Sequence, residues 1–383
     1  MTTFDGAFAQ LTGASGLQPH TASFADRAET GPAPDTRLNA GGKAIDQPPE
    51  LHVRSYAIFD GPRLGRVPGT IRLDLPDSLV RPRPGLLDVP AAMPILRRER
   101  PTFVATADGQ QVGVVRFRPC RPDGRWVVTS IAASTGVYAP DPVWAALLAH
   151  GVRAAGLRGV RRLFARVPTG HPLGETMRTM GWVPYAREAV FRADHLQPLS
   201  RARRPLRLQE PADTWAIHQL YAASVPRQVQ EIEALTSHVW HMEPSRRARR
   251  GVRQTGWLLE EDGGLAAYAR YTRGTRSGLI DAVVAPEDGN LFGALLDGVI
   301  AVPRQGRSRP VYCALRTYLL DLQHELTDRG FIEIGEQDLL IRYTTAIARA
   351  PAADPVHFPV ELRQAMPRRV PTFLEGQPTD GTV

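Results

Sequence analysis

The sequence predicts an α+β fold built twice: two tandem domains, each a mixed, mostly antiparallel sheet flanked by helices. Three observations predict it. A series of short motifs recurs. Leu163-Phe-Ala-Arg-Val167, a polar helical stretch, Gly181-Trp182 and a strand-like 187–192 are answered by Tyr312-Cys-Ala-Leu-Arg316, a polar helical stretch, Gly330-Phe331 and a strand-like 338–344. The double leucines Leu147-Leu148 and Leu295-Leu296 precede the two series at nearly the same offset. A repeat of about 150 residues is too long for a solenoid unit and suits a duplicated domain. The length of 383 residues, with 43% apolar content, leaves each half enough chain to bury its own core.

Residues 1–50 are rich in small and polar residues without periodicity and read as a flexible extension. The first domain is placed at 51–197. Its opening is broken by scattered prolines, so only short strands at 51–59 and 70–75 are expected. Alternating apolar residues then mark strands at 102–106, 111–118 and 126–132, with Asp108-Gly109 and Pro122-Asp-Gly124 as turns. A helix over 143–157, with Asp141 as its cap, leads to a strand at 163–167. A short helix over 173–180 stops at Gly181, and one or two closing strands fill 182–193.

A linker at 198–205 holds Arg201, Arg203 and Arg204. The second domain, 206–349, opens with a strand at 206–209. Helices follow at 214–223, capped by Asp213, and at 229–240. Strands at 257–260, 265–272 and 279–285, a helix at 291–300, a strand at 311–315, a helix at 320–328 and a strand at 338–344 complete it. Residues 350–383 read as a proline-rich tail.

Charge is unevenly placed. The net charge is −3 over 1–50, +10 over 51–200, +2 over 201–349 and −1 over 350–383. All basic residues but Lys43 are arginine, a bias that fits a GC-rich coding sequence better than a nucleic-acid footprint. The positive first domain could still attract an anionic partner. No apolar run is long enough for a membrane span, and no secretory leader is legible. Cys120 and Cys313 are the only cysteines and are not in metal-ligand spacing. A cytoplasmic, reduced protein without metal is expected. His238 and His241 with Glu243 have helical metal-like spacing but no further ligand, and packing accounts for them better.

Two passages carry a family resemblance. Arg162-Leu-Phe-Ala-Arg-Val-Pro168 through Met180-Gly-Trp-Val-Pro-Tyr-Ala-Arg-Glu-Ala-Val-Phe191 is one. Leu279-Ile-Asp-Ala-Val-Val-Ala-Pro286 followed by Ala294-Leu-Leu296 is the other. With the element order, they resemble the GNAT (Gcn5-related N-acetyltransferase) superfamily. The resemblance implies two sheets, each splayed between its fourth and fifth strands so that the pantetheine arm of an acyl-CoA inserts there. It implies pyrophosphate binding by backbone N–H groups at the start of the next helix, where convergent N–H dipoles favour anions. It also implies an amine acceptor, a general base and often a tyrosine acid.

The chain departs from that pattern at the phosphate loops. In the first copy Pro140 and Pro142 have no N–H to donate, and Trp144 is bulky where glycine is wanted. In the second the loop is short, and Glu287 and Asp288 bring negative charge. Met177 and Leu326 stand where the tyrosine acid often lies. The second copy is the better candidate. Asp281 is its candidate base and Tyr318 its candidate acid. Backbone of Val283, Val284 and Ala285 would meet pantetheine, with Gly289 and Asn290 near the pyrophosphate.

The leading expectation is therefore an acyl-CoA-dependent N-acyltransferase acting on a small amine, with acetyl-CoA or another acyl-CoA as co-substrate. A non-catalytic ligand- or protein-binding module is the alternative, and an aminoacyl-tRNA-dependent transferase the weaker one. Arg246, Arg247, Arg249 and Arg250 lack interleaved aromatics, so nucleic-acid binding is disfavoured.

Overall fold

The computed structural model describes residues 50–57, 60, 69–80, 101–120, 124–134, 139–196, 199, 204–242, 252–274, 276–285, 288–301 and 309–344. The N-terminal extension but for Glu50, most of the linker, the proline-rich tail, Glu243, the arginine cluster at 246–250 and Pro286-Glu287 lie outside these residues.

Among the described residues thirteen strands form the sheet: β1 His52–Ser55, β2 Ile71–Arg72, β3 Thr102–Ala107, β4 Gln110–Cys120, β5 Arg125–Ala133, β6 Arg162–Pro168, β7 Val183–Ala193, β8 Arg207–Leu208, β9 Arg253–Glu261, β10 Gly264–Arg273, β11 Gly278–Val283, β12 Val311–Arg316 and β13 Ile332–Tyr343. Their order is β1-β3-β4-β5-β6-β13-β7-β12-β11-β10-β9-β8, with β2 paired to β5 off this path. The expectation of two separate sheets is corrected: the sheet is continuous. The cause is an exchange of closing strands. β13, at the end of the second series, pairs with β6 of the first, and β7 pairs with β12 of the second. β7 and β13 pair with each other between them. The exchange buries both edges of both strands, where two closed copies side by side would each present an unpaired edge.

Within each half the connectivity repeats. β3, β4 and β5 run antiparallel, as do β9, β10 and β11. Each third strand then leads through a helix to a parallel neighbour, α2 (Pro140–Gly156) in one half and α6 (Gly289–Ala301) in the other. α1 is the short Asp77–Val80 turn of helix. The double leucines on α2 and α6 are fully buried and occupy matching places, Leu147 and Leu148 in one core cluster with Phe103, Phe117 and Leu163, Leu295 and Leu296 in another with Phe191, Cys313 and Phe331. α3 (Pro172–Thr179) ends before Gly181, and α7 (Gln323–Thr327) before Gly330. These glycines hold φ of +78° and +87°, the left-handed backbone that terminates a helix without a Cβ penalty.

Three local expectations are corrected. The helix expected over 229–240 is α5 (Arg227–Glu233), ended by Ala234 in left-handed conformation, followed by a 3₁₀ turn at Ser237–Trp240. The helix expected over 320–328 begins as a 3₁₀ turn, Thr317–Leu322, before α7. Neither Asp141 nor Asp213 caps its helix with its side chain. Asp213 instead accepts from the Glu210 amide and pairs with Arg207, and Asp141 accepts from Thr176. α4 (Thr214–Ser224) does form where expected. α4 and the 3₁₀ turn at Ser237–Trp240 cover the second half on the face opposite α6, through Ile217, Tyr221 and Trp240 on Leu258, Tyr268 and Val283. Among the described residues no helix is long and apolar enough to cross a membrane.

Candidate active site

Each half contains a split. β5 and β6 stay paired for only three residues, ending at Val127↔Phe164, and then part. β11 and β12 likewise part after Ile280↔Cys313. The two splits have different contents.

The first is filled by the chain itself. The sequence Ile71-Arg-Leu-Asp-Leu75 alternates apolar and polar residues, as an inserted strand should. Ile71 and Arg72 pair with Ile131 and Ser130 of β5. The Leu73 amide then donates to the Thr129 carbonyl at 3.0 Å, and the Leu73 carbonyl accepts from the Arg166 amide of β6 at 2.9 Å. One segment thus bridges both walls of the split. Ile71, Leu73 and Leu75 are all buried, and Gln337 donates to the Leu75 carbonyl at 2.8 Å. The open wedge expected as one possibility between the strand ending at Ala132 and the one starting at Leu163 is therefore closed.

The second split opens on a cavity of about 530 Å³. Val283, Val284 and Ala282 line it on the β11 side, and Ala314, Arg316 and Tyr318 on the β12 side. Both halves of the chain build its walls, since Arg166, Tyr185 and Glu188 also line it.

Strand alternation explains the charged layer on this face. Register partners in a sheet share a face, and so do residues two apart. Arg270 lies opposite Asp281, Arg316 opposite Glu188, and Gln337 opposite Glu188. Leu279↔Tyr312 places Asp281 and Arg316 on the same side, one on each flank of the split. Arg166, opposite Leu339, joins the layer from β6. Tyr185 sits where the β7–β13 register slips, and this bulge turns its hydroxyl to Glu233.

Two carboxylates anchor the layer. Glu188 meets Arg166 Nε at 2.9 Å and Arg316 Nε at 3.0 Å, and accepts from Gln337 Nε2 at 2.6 Å. Glu233 accepts from Arg316 Nη2 at 2.8 Å and from the Tyr185 and Tyr221 hydroxyls, each at 3.1 Å. Burial alone would raise the Glu233 pKa, but the Arg316 charge and these hydrogen bonds outweigh it and hold the carboxyl below its ordinary range.

Asp281 is treated differently. Its one ion pair among the described residues, to Arg270 Nη2, is long at 3.4 Å, and 44% of its side chain is open to the cavity. Loss of water around it inside the cleft raises its pKa, Arg270 and Arg166 oppose the rise, and Asp77 adds to it. Tyr318 lines the cavity at the start of the 3₁₀ turn, and burial pushes its hydroxyl up to about 12. At neutral pH it holds its proton.

The structure thus brings Asp281, Tyr318, Val283 and Val284 together around one cavity. Ala285 lies just beyond, its carbonyl accepting from the Asp288 amide at 3.1 Å. Gly289 and Asn290 open α6 away from the cavity lining; a Cβ on Gly289 would lie 3.6 Å from Leu322. Arg166, Glu188, Arg316, Glu233, Tyr185, Tyr221 and Arg270 were missed by the sequence reading. A signal existed for one: Arg316 ends the otherwise apolar strand β12, whereas Glu188 lies in a strand that also carries Arg187 and Arg192. His238 and His241 stand with ring centroids 5.3 Å apart, and among the described residues no group of ligands suits a metal ion.

An acyl-CoA does not fit the first split, which is full, beside a helix whose first and third positions are the prolines 140 and 142. The second split suits the pantetheine arm better: no described segment bridges its walls, and α6 begins at Gly289 with its N-terminal amides intact. Asp288 stands just ahead of α6 and brings negative charge to its N-terminus.

No family model and no curated protein matches the chain. Solved structures do. A GCN5-related N-acetyltransferase from Sphaerobacter thermophilus aligns over 77% of this chain and 96% of its own, at 13% identity and TM-score 0.50. A tandem GNAT protein from the clavulanic acid biosynthesis pathway aligns over 78% of this chain and 99% of its own, at 17% identity and TM-score 0.47. At 13% identity the likeness to the Sphaerobacter structure concerns fold alone: the chain has a GNAT-like fold, and its own repeated strand connectivity makes it a tandem one.

Proposed function

We propose that this tandem GNAT-fold protein is an acyl-CoA-dependent N-acyltransferase that works through its second split alone. The observation that carries the reading is the open second split, with Asp281 and Tyr318 facing the cavity at its mouth. A bound acyl-CoA supplies an acyl thioester. Val283 and Val284 would hold its pantetheine arm by their backbone, with Ala285, Gly289 and Asn290 nearer the phosphates. Asp281, with its raised pKa, accepts a proton from the incoming ammonium and leaves a neutral amine. Tyr318, protonated at neutral pH, donates to the departing thiolate as the N–C bond forms and the C–S bond breaks. The second amine proton restores Tyr318, and Asp281 releases its own to water. The acceptor is a small amine, in keeping with the cavity volume. A cytoplasmic setting, where acyl-CoA is made, fits two free cysteines.

A thermal shift with acetyl-CoA, CoA and desulfo-CoA tests the reading. A ligand at 100 times its Kd stabilises the fold by about 2.7 kcal/mol. No shift at millimolar CoA would leave the non-catalytic ligand-binding reading in its place. Asp281→Asn should slow turnover by about 10²- to 10⁴-fold while CoA binding persists. Unchanged turnover removes Asp281 from the mechanism.

A further inference from the structure

We propose that the acceptor amine also carries a carboxylate, and that the arginine layer of the cavity, led by Arg316 and Arg270, holds that carboxylate while Asp281 faces the amine. The inference rests on the acyl-transfer reading for the amine and on the arginine layer for the acid.

The charged lining of the cavity holds five arginines against four carboxylates. Glu188 and Glu233 are saturated by partners from the protein. Three of the arginines are not. Arg316 gives Nε and Nη2 to these two carboxylates, and its Nη1 has no acceptor among the described residues. Arg270 gives Nη1 to the Val239 carbonyl at 3.1 Å and Nη2 to Asp281, and its Nε has none. Arg118, at the other end of the lining, leaves Nε without one. These atoms lie just under the cavity wall, and a small turn of each guanidinium would bring them to an acceptor on a ligand. A carboxylate matches the planar fork of arginine.

Position supports the assignment. Asp281 and Arg316 face the same side of the sheet from the two flanks of the split. A molecule bearing an amine and an acid a few bonds apart can reach both. A dicationic amine finds Glu188 and Glu233 already occupied by arginine and tyrosine donors.

The test compares acceptors matched in length: 4-aminobutyrate, butylamine and putrescine, with phenylalanine and phenethylamine as a larger pair. Binding is read by thermal shift of the full chain without CoA, and turnover by thiol release from acetyl-CoA. The expected result is a larger shift for each acid than for its partner without the carboxylate, and kcat/KM at least tenfold higher. Arg270→Gln, which keeps an amide donor for Val239, should narrow that preference severalfold. Equal binding of acids and amines, a preference for putrescine, or no acid shifting the protein at 10 mM would each overturn the proposal. Acid binding without any CoA shift would sink acyl transfer and leave the anion site standing. A CoA shift without acid preference would do the reverse.

Discussion

The two splits of this molecule have the same strand connectivity and opposite contents. In the first, residues 71–75 lie between β5 and β6 and give backbone hydrogen bonds to both walls. In the second, β11 and β12 part around a cavity lined by Asp281, Arg316 and Tyr318. Parted parallel strands leave backbone groups unpaired, and buried backbone groups demand partners. A protein can meet that demand permanently with its own chain or leave it for a ligand. Here one copy does each. The filled copy also serves the open one, since the same segment continues into Asp77 and Val80, which line the cavity.

The comparison can be broken most forcefully at the charged layer. Glu233→Ala strips Arg316, Tyr185 and Tyr221 of a shared acceptor and leaves a buried guanidinium short of charge. A loss of about 3–5 kcal/mol in denaturant unfolding is expected. A loss below 1 kcal/mol would mean that the layer is not the framework described here.

Filling and emptying the splits should have opposite signatures. Leu73→Ala, in the closed split, should cost about 2–5 kcal/mol of stability and leave the CoA shift unchanged. If the variant instead binds two CoA per chain by calorimetry, the plug is all that separates the two copies. Ala314→Phe, in the open split, should abolish the CoA-induced stabilisation of about 2.7 kcal/mol at 100 Kd while the free protein still unfolds cooperatively. A retained shift would place the ligand elsewhere.

The smallest effect is a contrast in titration within one cavity. Glu233 has its folded pKa lowered, so its stabilising contribution is present above the unfolded carboxyl range and fades as pH falls through the lowered value. Asp281 has its folded pKa raised, so ionising it as pH rises costs stability while switching the base on. The acid limb of kcat/KM should therefore rise at a pH above the ordinary aspartate value, and Asp281→Asn should remove it. Carboxylate chemical shifts in NMR titrations would check both directions; a Glu233 titrating above its ordinary range would contradict the network.

Much of the fold was legible because it rests on local periodicity. Alternation marked β3, β4 and β5, the double leucines marked α2 and α6, and Gly181 and Gly330 marked the ends of α3 and α7. Ala234 gave no such warning: a non-glycine residue in left-handed backbone, it ends α5 in the middle of an apparently helical stretch. Of the residues that line the cavity, Asp281 and Tyr318 could be picked out by their place in the order of elements. Arg166, Glu188, Arg316 and Glu233 come from four separate elements, and no spacing in the chain relates them.

By itself the sequence determined that a series of motifs recurs, where most of the strands and helices lie, and that prolines stand in the first turn of one crossover helix and carboxylates ahead of the other. Those properties follow from side-chain periodicity, proline and glycine, which act within a few residues. Only the tertiary structure decided that β7 and β13 change places and that residues 71–75 fill one split while the other opens on a shared arginine-rich cavity. Which backbone groups are satisfied, and by what, depends on segments far apart in the chain: β13 lies about 170 residues from β6, its partner in the sheet.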